Sequence, residues 1–293
     1  MDEESRLPDV PGWVLRKELG RGGMGVVYEA VEPTTGRRRA LKAVHIPVPA
    51  PSPDATALFE REIRMCGRLR HPHIVRVDDI GRTSSLSYFV MELCDGGSLM
   101  DRVAADGPMP VEEAVPLFLQ VLDALTYAHT WGATVHRDIK PQNILLTRGP
   151  DGGPVAKVAD FGLAKAYQAA GTSGLTQTGA VAGTPAFMPR VQVVNYKYAK
   201  PPVDVWSAAA SLYFVVTGHT PRDFTPGRNP WLTVTTALAI PARDRGVPLP
   251  EDLGALLDRA LTDEPDGMFS TAEQLAVELR DLPARKSRSG HAR

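Results

Sequence analysis

The apolar pattern of the chain changes period once, near Gly96, and that change limits what it can fold into. From Trp13 to about Leu93, the stretches WVLRKELG, VVYEAV, RRRALKAVHI, IVRVDDIG and LSYFVMEL are short, β-branched or aromatic and separated by turn residues, which predicts a small sheet. One helix interrupts it: in ATALFEREIRMCGRLR, Leu58, Ile63, Cys66 and Leu69 fall near helical spacing after the proline-rich loop PVPAPSPD. Beyond Gly96, VEEAVPLFLQVLDALTYAHTWG predicts a long buried helix, NILLT and VAKVAD short strands, and VDVWSAAASLYFVVTG, LGALLDRALT and TAEQLAVELRDL further helices. There is no internal repeat. The expected fold class is α+β, with a small β-rich part of about 13–94 and a larger, mostly helical part of about 95–283.

With 293 residues and 43% apolar content, the chain can bury one large core or two modest ones. Lysine and arginine number 33 against 34 acidic residues, so no basic excess points to nucleic acid. Two cysteines, Cys66 and Cys94, are too few for a disulfide framework and suit a reducing compartment. No apolar run approaches the roughly 18 residues of a membrane span, and the acidic start MDEESRLP lacks the parts of a signal peptide. A cytoplasmic location is expected, with polar tails at 1–12 and 284–293.

Gly20-Arg21-Gly22-Gly23-Met24-Gly25 supplies spaced glycines whose backbone N–H groups can approach phosphate oxygens. A plain turn is the ordinary reading of such a run, and a dinucleotide-binding fold would need a helix straight after it; here the strand VVYEAV follows. Lys42 lies in the apolar strand ALKAV, so its ammonium either snorkels to water or meets an anion. Glu62 or Glu60 of FEREIRM could supply a carboxylate. The segment His136-Arg137-Asp138-Ile139-Lys140-Pro141-Gln142-Asn143 packs polar and charged residues at fixed spacing between a buried helix and a strand. Asp160-Phe161-Gly162 follows the strand VAKVAD, which sets a carboxylate at a strand end.

These elements, in this order over residues 13 to 283, resemble the catalytic domain of bacterial eukaryotic-like (Hanks-type) serine/threonine protein kinases. The resemblance implies a two-lobed fold and an ATP- and Mg²⁺-dependent phosphotransferase acting on Ser/Thr hydroxyls of proteins. It implies that Asp138 orients the substrate hydroxyl and accepts its proton, that Lys140 steadies the phosphoryl group, and that Asn143 and Asp160 hold metal. Lys42 would meet the α- and β-phosphates, paired with Glu62 rather than Glu60, because the distance from Glu62 to HPHIV resembles that of the helix glutamate in bacterial kinases of this family. ATP would lie against Leu19, Gly20, Arg21, Gly22, Gly23, Met24, Gly25 and Val27, with Ala40 above the adenine and Leu145 below. Met91 would be the gatekeeper, with the backbone of Glu92, Leu93 and Cys94 at the pocket edge. A lysine two residues after the aspartate is the serine/threonine pattern.

Arg137 precedes Asp138, and in such kinases this arginine pairs with an activation-loop phosphate. Thr176 and Thr178 in LTQTGAVAGTP resemble autophosphorylated threonines, which leaves open a homodimer for autophosphorylation, and Thr184 is expected to support the substrate site and Asp138. Asp204 in VDVWS resembles the aspartate beneath the catalytic loop, while Ala209 stands where a glycine is usual. One segment departs from the pattern. After Gly183-Thr184-Pro185, the chain reads Pro189-Arg190-Val191 where small-Pro-Glu is usual, and Met268 stands where that glutamate's arginine partner is expected. Losing both charges together is an accommodation, since replacing a whole buried pair costs little. A pseudokinase scaffold and a small-molecule kinase are the alternative readings; the catalytic positions are filled against the first, and the long GTP-containing loop speaks against the second.

Overall fold

The computed structural model describes residues 7–22, 25–45, 67–83, 86–161, 184–195 and 199–289. They form two compact units. The first takes in the described residues up to Arg70 together with Val75–Asp95, and the second takes in His71–Ile74 and the described residues from Gly96 onward. Much of the helix expected at 55–70 lies outside the described residues.

The first unit is an antiparallel sheet of β1 (Val14–Gly22), β2 (Gly25–Val31), β3 (Arg38–His45), β4 (Val77–Arg82) and β5 (Leu86–Met91), in the order β1-β2-β3-β5-β4. All five are strands that the sequence predicts. Because alternate side chains of a strand point to opposite faces, β2, β3 and β5 each divide their residues between two sides. Val26, Tyr28, Ala30, Leu41, Ala43, Leu86, Tyr88 and Val90 form one buried cluster with Val10, Leu15 and Trp13. The opposite face carries Val27 beside Lys42 and Lys42 beside Phe89, then Ala40 beside Met91. Directly opposed residues share a face, so the register alone gathers Val27, Ala40, Lys42 and Met91.

The second unit is built on helices α1 (Leu99–Asp106), α2 (Val111–Thr130), α3 (Arg190–Val194), α4 (Pro201–Thr217), α5 (Pro230–Thr236), α6 (Glu251–Ala260) and α7 (Ala272–Ser289), with a hairpin of β6 (Ile144–Arg148) and β7 (Pro154–Val158). Helix α1 starts in a capping box, where Ser98 Oγ accepts from the Asp101 N–H and the Asp101 carboxylate accepts from the Ser98 N–H. Helix α2 buries one stripe, including Leu117, Phe118, Val121, Leu122 and Leu125. Helix α4 differs, being buried on nearly every side from Val203 to Thr217, as expected of a helix apolar all round. It ends at Gly218 in the left-handed conformation, φ 73°. Among the described residues no helix is long and apolar enough to cross a membrane.

The hairpin joining β1 and β2 pairs Gly22 with Gly25. Gly25 has φ 130°, and a Cβ built there would lie 2.1 Å from the carbonyl oxygen of Ala43. At Gly20 and Gly22 a Cβ would meet nothing within 4 Å. The three glycines therefore answer to different demands: one to the close approach of β3, the other two to no neighbour among the described residues. Gly25→Ala is expected to destabilise by about 1–3 kcal/mol through backbone strain, whereas Gly20→Ala leaves the urea midpoint unchanged or slightly raised; paired urea melts check both.

Candidate active site

The second unit holds the loop 136–143, and its shape is set from below by one carboxylate. Asp204, fully buried near the start of α4, accepts from the backbone N–H groups of His136 and Arg137, both at 2.7 Å, and lies 2.8 Å from His129 Nε2. A buried charge is tolerated only with such a set of donors. Arg137 takes φ 68°, a left-handed conformation that a non-glycine residue adopts at a cost. The bonds from His136 and Arg137 to Asp204 hold the backbone there, and Asp138 follows directly.

His136 is buried and links the loop to the end of β7. Its Nδ1 accepts from the Asp138 N–H at 3.2 Å, so the ring proton sits on Nε2, which donates to the Ala159 carbonyl at 2.8 Å. The Ala159 N–H in turn donates to the Asn143 carbonyl at 2.8 Å. Both backbone groups of Ala159 are thereby tied to the loop, and Asp160 follows immediately, with φ 63°. Phe161 packs edge-on against His136, with centroids 4.6 Å apart. The two motifs that the sequence separates by some twenty residues are thus one hydrogen-bonded assembly.

Within the loop the two oxygens of Asp138 are treated differently. Oδ2 takes an ion pair from Lys140 Nζ at 2.9 Å and a hydrogen bond from Asn143 Nδ2 at 3.1 Å. The same Asn143 nitrogen donates to the Asp138 carbonyl at 2.8 Å. Oδ1 has no hydrogen bond among the described residues and is the oxygen left for a ligand. Asn143 spends its amide nitrogen on Asp138, which directs its amide oxygen elsewhere; with the Asp160 carboxylate it offers hard oxygen donors of the kind that magnesium takes. Asp138, Lys140 and Asn143 are thus in direct contact, and Asp160 follows Ala159, whose backbone is bonded to the same loop. Leu145, half-buried on β6, bridges to Ser98.

In the first unit, Val27, Ala40, Lys42 and Met91 share one face of the sheet, and Lys42 is only 6% exposed. Leu19 is 43% exposed beside the two open glycines Gly20 and Gly22. Arg21 pairs with Glu18 at 2.6 Å. Glu92 is fixed by Arg76, its N–H donating to the Arg76 carbonyl and its carboxylate accepting from the Arg76 N–H. Cys94 is half-buried and not in a disulfide. Gly23, Met24, Glu60, Glu62, Gly162, Thr176 and Thr178 lie outside the described residues.

Two features escaped the sequence reading. Gln192 on α3 is buried, and its Nε2 donates to the Arg137 carbonyl at 2.6 Å, reaching the loop 136–143 from the segment after Gly183-Thr184-Pro185. The same segment is bonded to a buried ion pair from elsewhere in the chain, Arg222 with Asp263 at 2.7 Å, while Val191 and Met268 carry no charge as noted. The isolated arginine of HTPRDF and the aspartate of LTDEP were its only signals. Thr184, expected at the substrate site, makes no side-chain hydrogen bond to Asp138 among the described residues.

Comparison with known proteins agrees with this geometry. The family described as protein kinase domain matches residues 13–271. The serine/threonine-protein kinase PknK of Mycobacterium bovis is 35% identical over 95% of this chain and 25% of its own length. The corresponding figures are 34%, 92% and 33% for pkn2 of Myxococcus xanthus, and 33%, 89% and 41% for PknB of Mycobacterium leprae. The chain spans a quarter to about two fifths of these relatives. A crystal structure of Rad53 1–466 in complex with AMP-PNP superposes with a TM-score of 0.72 and 27% identity, over 90% of this chain and 64% of that one.

Asp204→Asn would turn one acceptor oxygen into a donor facing N–H groups. It is expected to lower stability by about 1–3 kcal/mol and to release Arg137 from its left-handed conformation, which a urea melt and amide exchange at Arg137 would detect.

Proposed function

This chain belongs to the protein kinase domain family, and from that premise we propose that it transfers the γ-phosphate of ATP to serine or threonine hydroxyls of proteins. The reading rests on the unequal oxygens of Asp138. Oδ2 is locked by Lys140 and Asn143, so Oδ1 is fixed in direction and can take the hydroxyl proton as the hydroxyl oxygen bonds to the γ-phosphorus. The bond from that phosphorus to its bridging oxygen breaks, and ADP leaves. Lys140, already beside Asp138, would offset the charge on the transferring group. Catalysis of this kind is positioning plus electrostatic stabilisation.

Lys42 would meet the α- and β-phosphates, with Glu62 as its partner. Gly20 and Gly22 would leave room for phosphate oxygens against the backbone, and Val27, Ala40, Met91, Glu92, Cys94 and Leu145 would receive the base. Magnesium, held by the Asn143 amide oxygen and the Asp160 carboxylate, would neutralise phosphate charge. Phosphorylation of Thr176 and Thr178, by a second copy of the chain or within one, would order the loop by pairing with Arg137. ATP as the phosphoryl donor suits a cytoplasmic location.

Asp138→Asn tests the reading, because the amide keeps the shape of the side chain but cannot take the proton. Transfer from labelled ATP with magnesium, to the protein itself and to a generic basic substrate, is expected to fall by about 10²–10⁴-fold with ATP affinity retained. Transfer by the variant at the wild-type rate would overturn it.

A further inference from the structure

We propose that the buried pair Arg222–Asp263 is a positioning device for protein-substrate binding, which holds the segment Thr184–Gln192 in register with Asp138; the inference rests on the phosphotransfer reading above. Arg222 is wholly buried, and its guanidinium is used on every side. Nη2 donates to both oxygens of Asp263, at 2.9 and 2.7 Å. Nη1 donates to the Met188 carbonyl at 3.1 Å and Nε to the Ala237 carbonyl at 3.0 Å. The charge lies 4.8 Å from the centroid of the Trp206 ring on α4. Asp263, its side chain 2% exposed, also accepts from the Arg190 N–H at 3.1 Å and lies 3.8 Å from the Arg190 guanidinium.

The two backbone groups held by this pair stand on either side of Pro189. Met188 offers its carbonyl and Arg190 its N–H, while the proline between them has no N–H to give. The chain is therefore clamped where it enters α3. Two residues along that helix, Gln192 donates to the Arg137 carbonyl, next to Asp138. Helix α3 is thus fixed at its start by Arg222 and Asp263 and along its length by the catalytic loop, and the distance between the two attachments is set by one short helix. The residues that precede it, Thr184 to Met188, have their position relative to Asp138 determined by the same clamp.

Stability alone does not account for the pair. Two charges buried together are often no better than apolar side chains of equal volume, because desolvation offsets their attraction. What apolar groups cannot do is bind a carbonyl and an N–H in one fixed geometry. Loss of the pair should therefore separate two quantities that a purely structural role would keep together.

Three variants, Arg222→Lys, Asp263→Asn and the double change Arg222→Met with Asp263→Leu, would be measured for thermal midpoint, KM for ATP, KM and kcat for a protein substrate, and amide exchange at Arg190. The lysine keeps the charge but loses the fork, and kcat/KM for the protein substrate is expected to fall about 100-fold, as for a misplacement of about 1 Å, with KM for ATP unchanged. The apolar double variant should recover the wild-type midpoint yet keep the defect with protein substrate and the fast exchange at Arg190. Recovery of protein-substrate kinetics together with the midpoint would overturn the inference, as would equal shifts in both KM values. If a variant does not fold, Asp263→Asn, which retains one acceptor oxygen, decides by the same readouts. Silence of the wild type itself would remove the phosphotransfer reading instead, and exchange at Arg190 would still report whether the clamp holds α3.

Discussion

The carboxylate of Asp204 is fully buried, and three N–H donors converge on it from residues 67 to 75 positions away. Everything in the candidate site follows from that convergence. The two backbone donors fix His136 and Arg137, and Asp138 follows directly; Lys140 and Asn143 then both take its Oδ2 and leave Oδ1 open among the described residues. A carboxylate in a helix buried nearly all round is costly, and its three donors offset that cost. The cost of the burial and the rigidity of the loop are two sides of one arrangement.

How far the sequence foretold this depends on the range of the interaction. Period and turn chemistry are local, so five strands and the long helices were readable from residues such as Val26, Tyr28 and Ala30, which alternate with Val27 and Glu29. The loop 136–143 was readable because its chemistry is packed into eight consecutive residues. Arg222 and Asp263 were not, since they stand 41 positions apart in segments without periodicity. Gln192 looked like any polar residue on a short helix; only the folded chain shows that its amide is buried against Arg137.

The glycine run illustrates a different limit. Gly20, Gly22 and Gly25 look alike in sequence, and spacing gives them equal weight. In the folded sheet the Ala43 carbonyl fills the place where a side chain of Gly25 would go, while a side chain at the other two would meet none of the described residues. One glycine is needed by the protein and two are compatible with something that is not protein. The opposite face of the sheet follows a similar division, with Tyr28 and Leu41 given to the core and Val27 and Lys42 turned away from it.

The dependence of the loop 136–143 on α4 also has a consequence in time. During synthesis, residues 136–143 leave the ribosome long before Asp204 does. Until that helix has been made and packed, the N–H groups of His136 and Arg137 have no buried carboxylate to meet, and nothing holds Arg137 left-handed. Contacts between residues this far apart form only after the intervening chain has closed its loop. A nascent or truncated chain ending before α4 therefore contains every residue of the loop but not its geometry, so the loop takes its shape only once α4 has been made and packed.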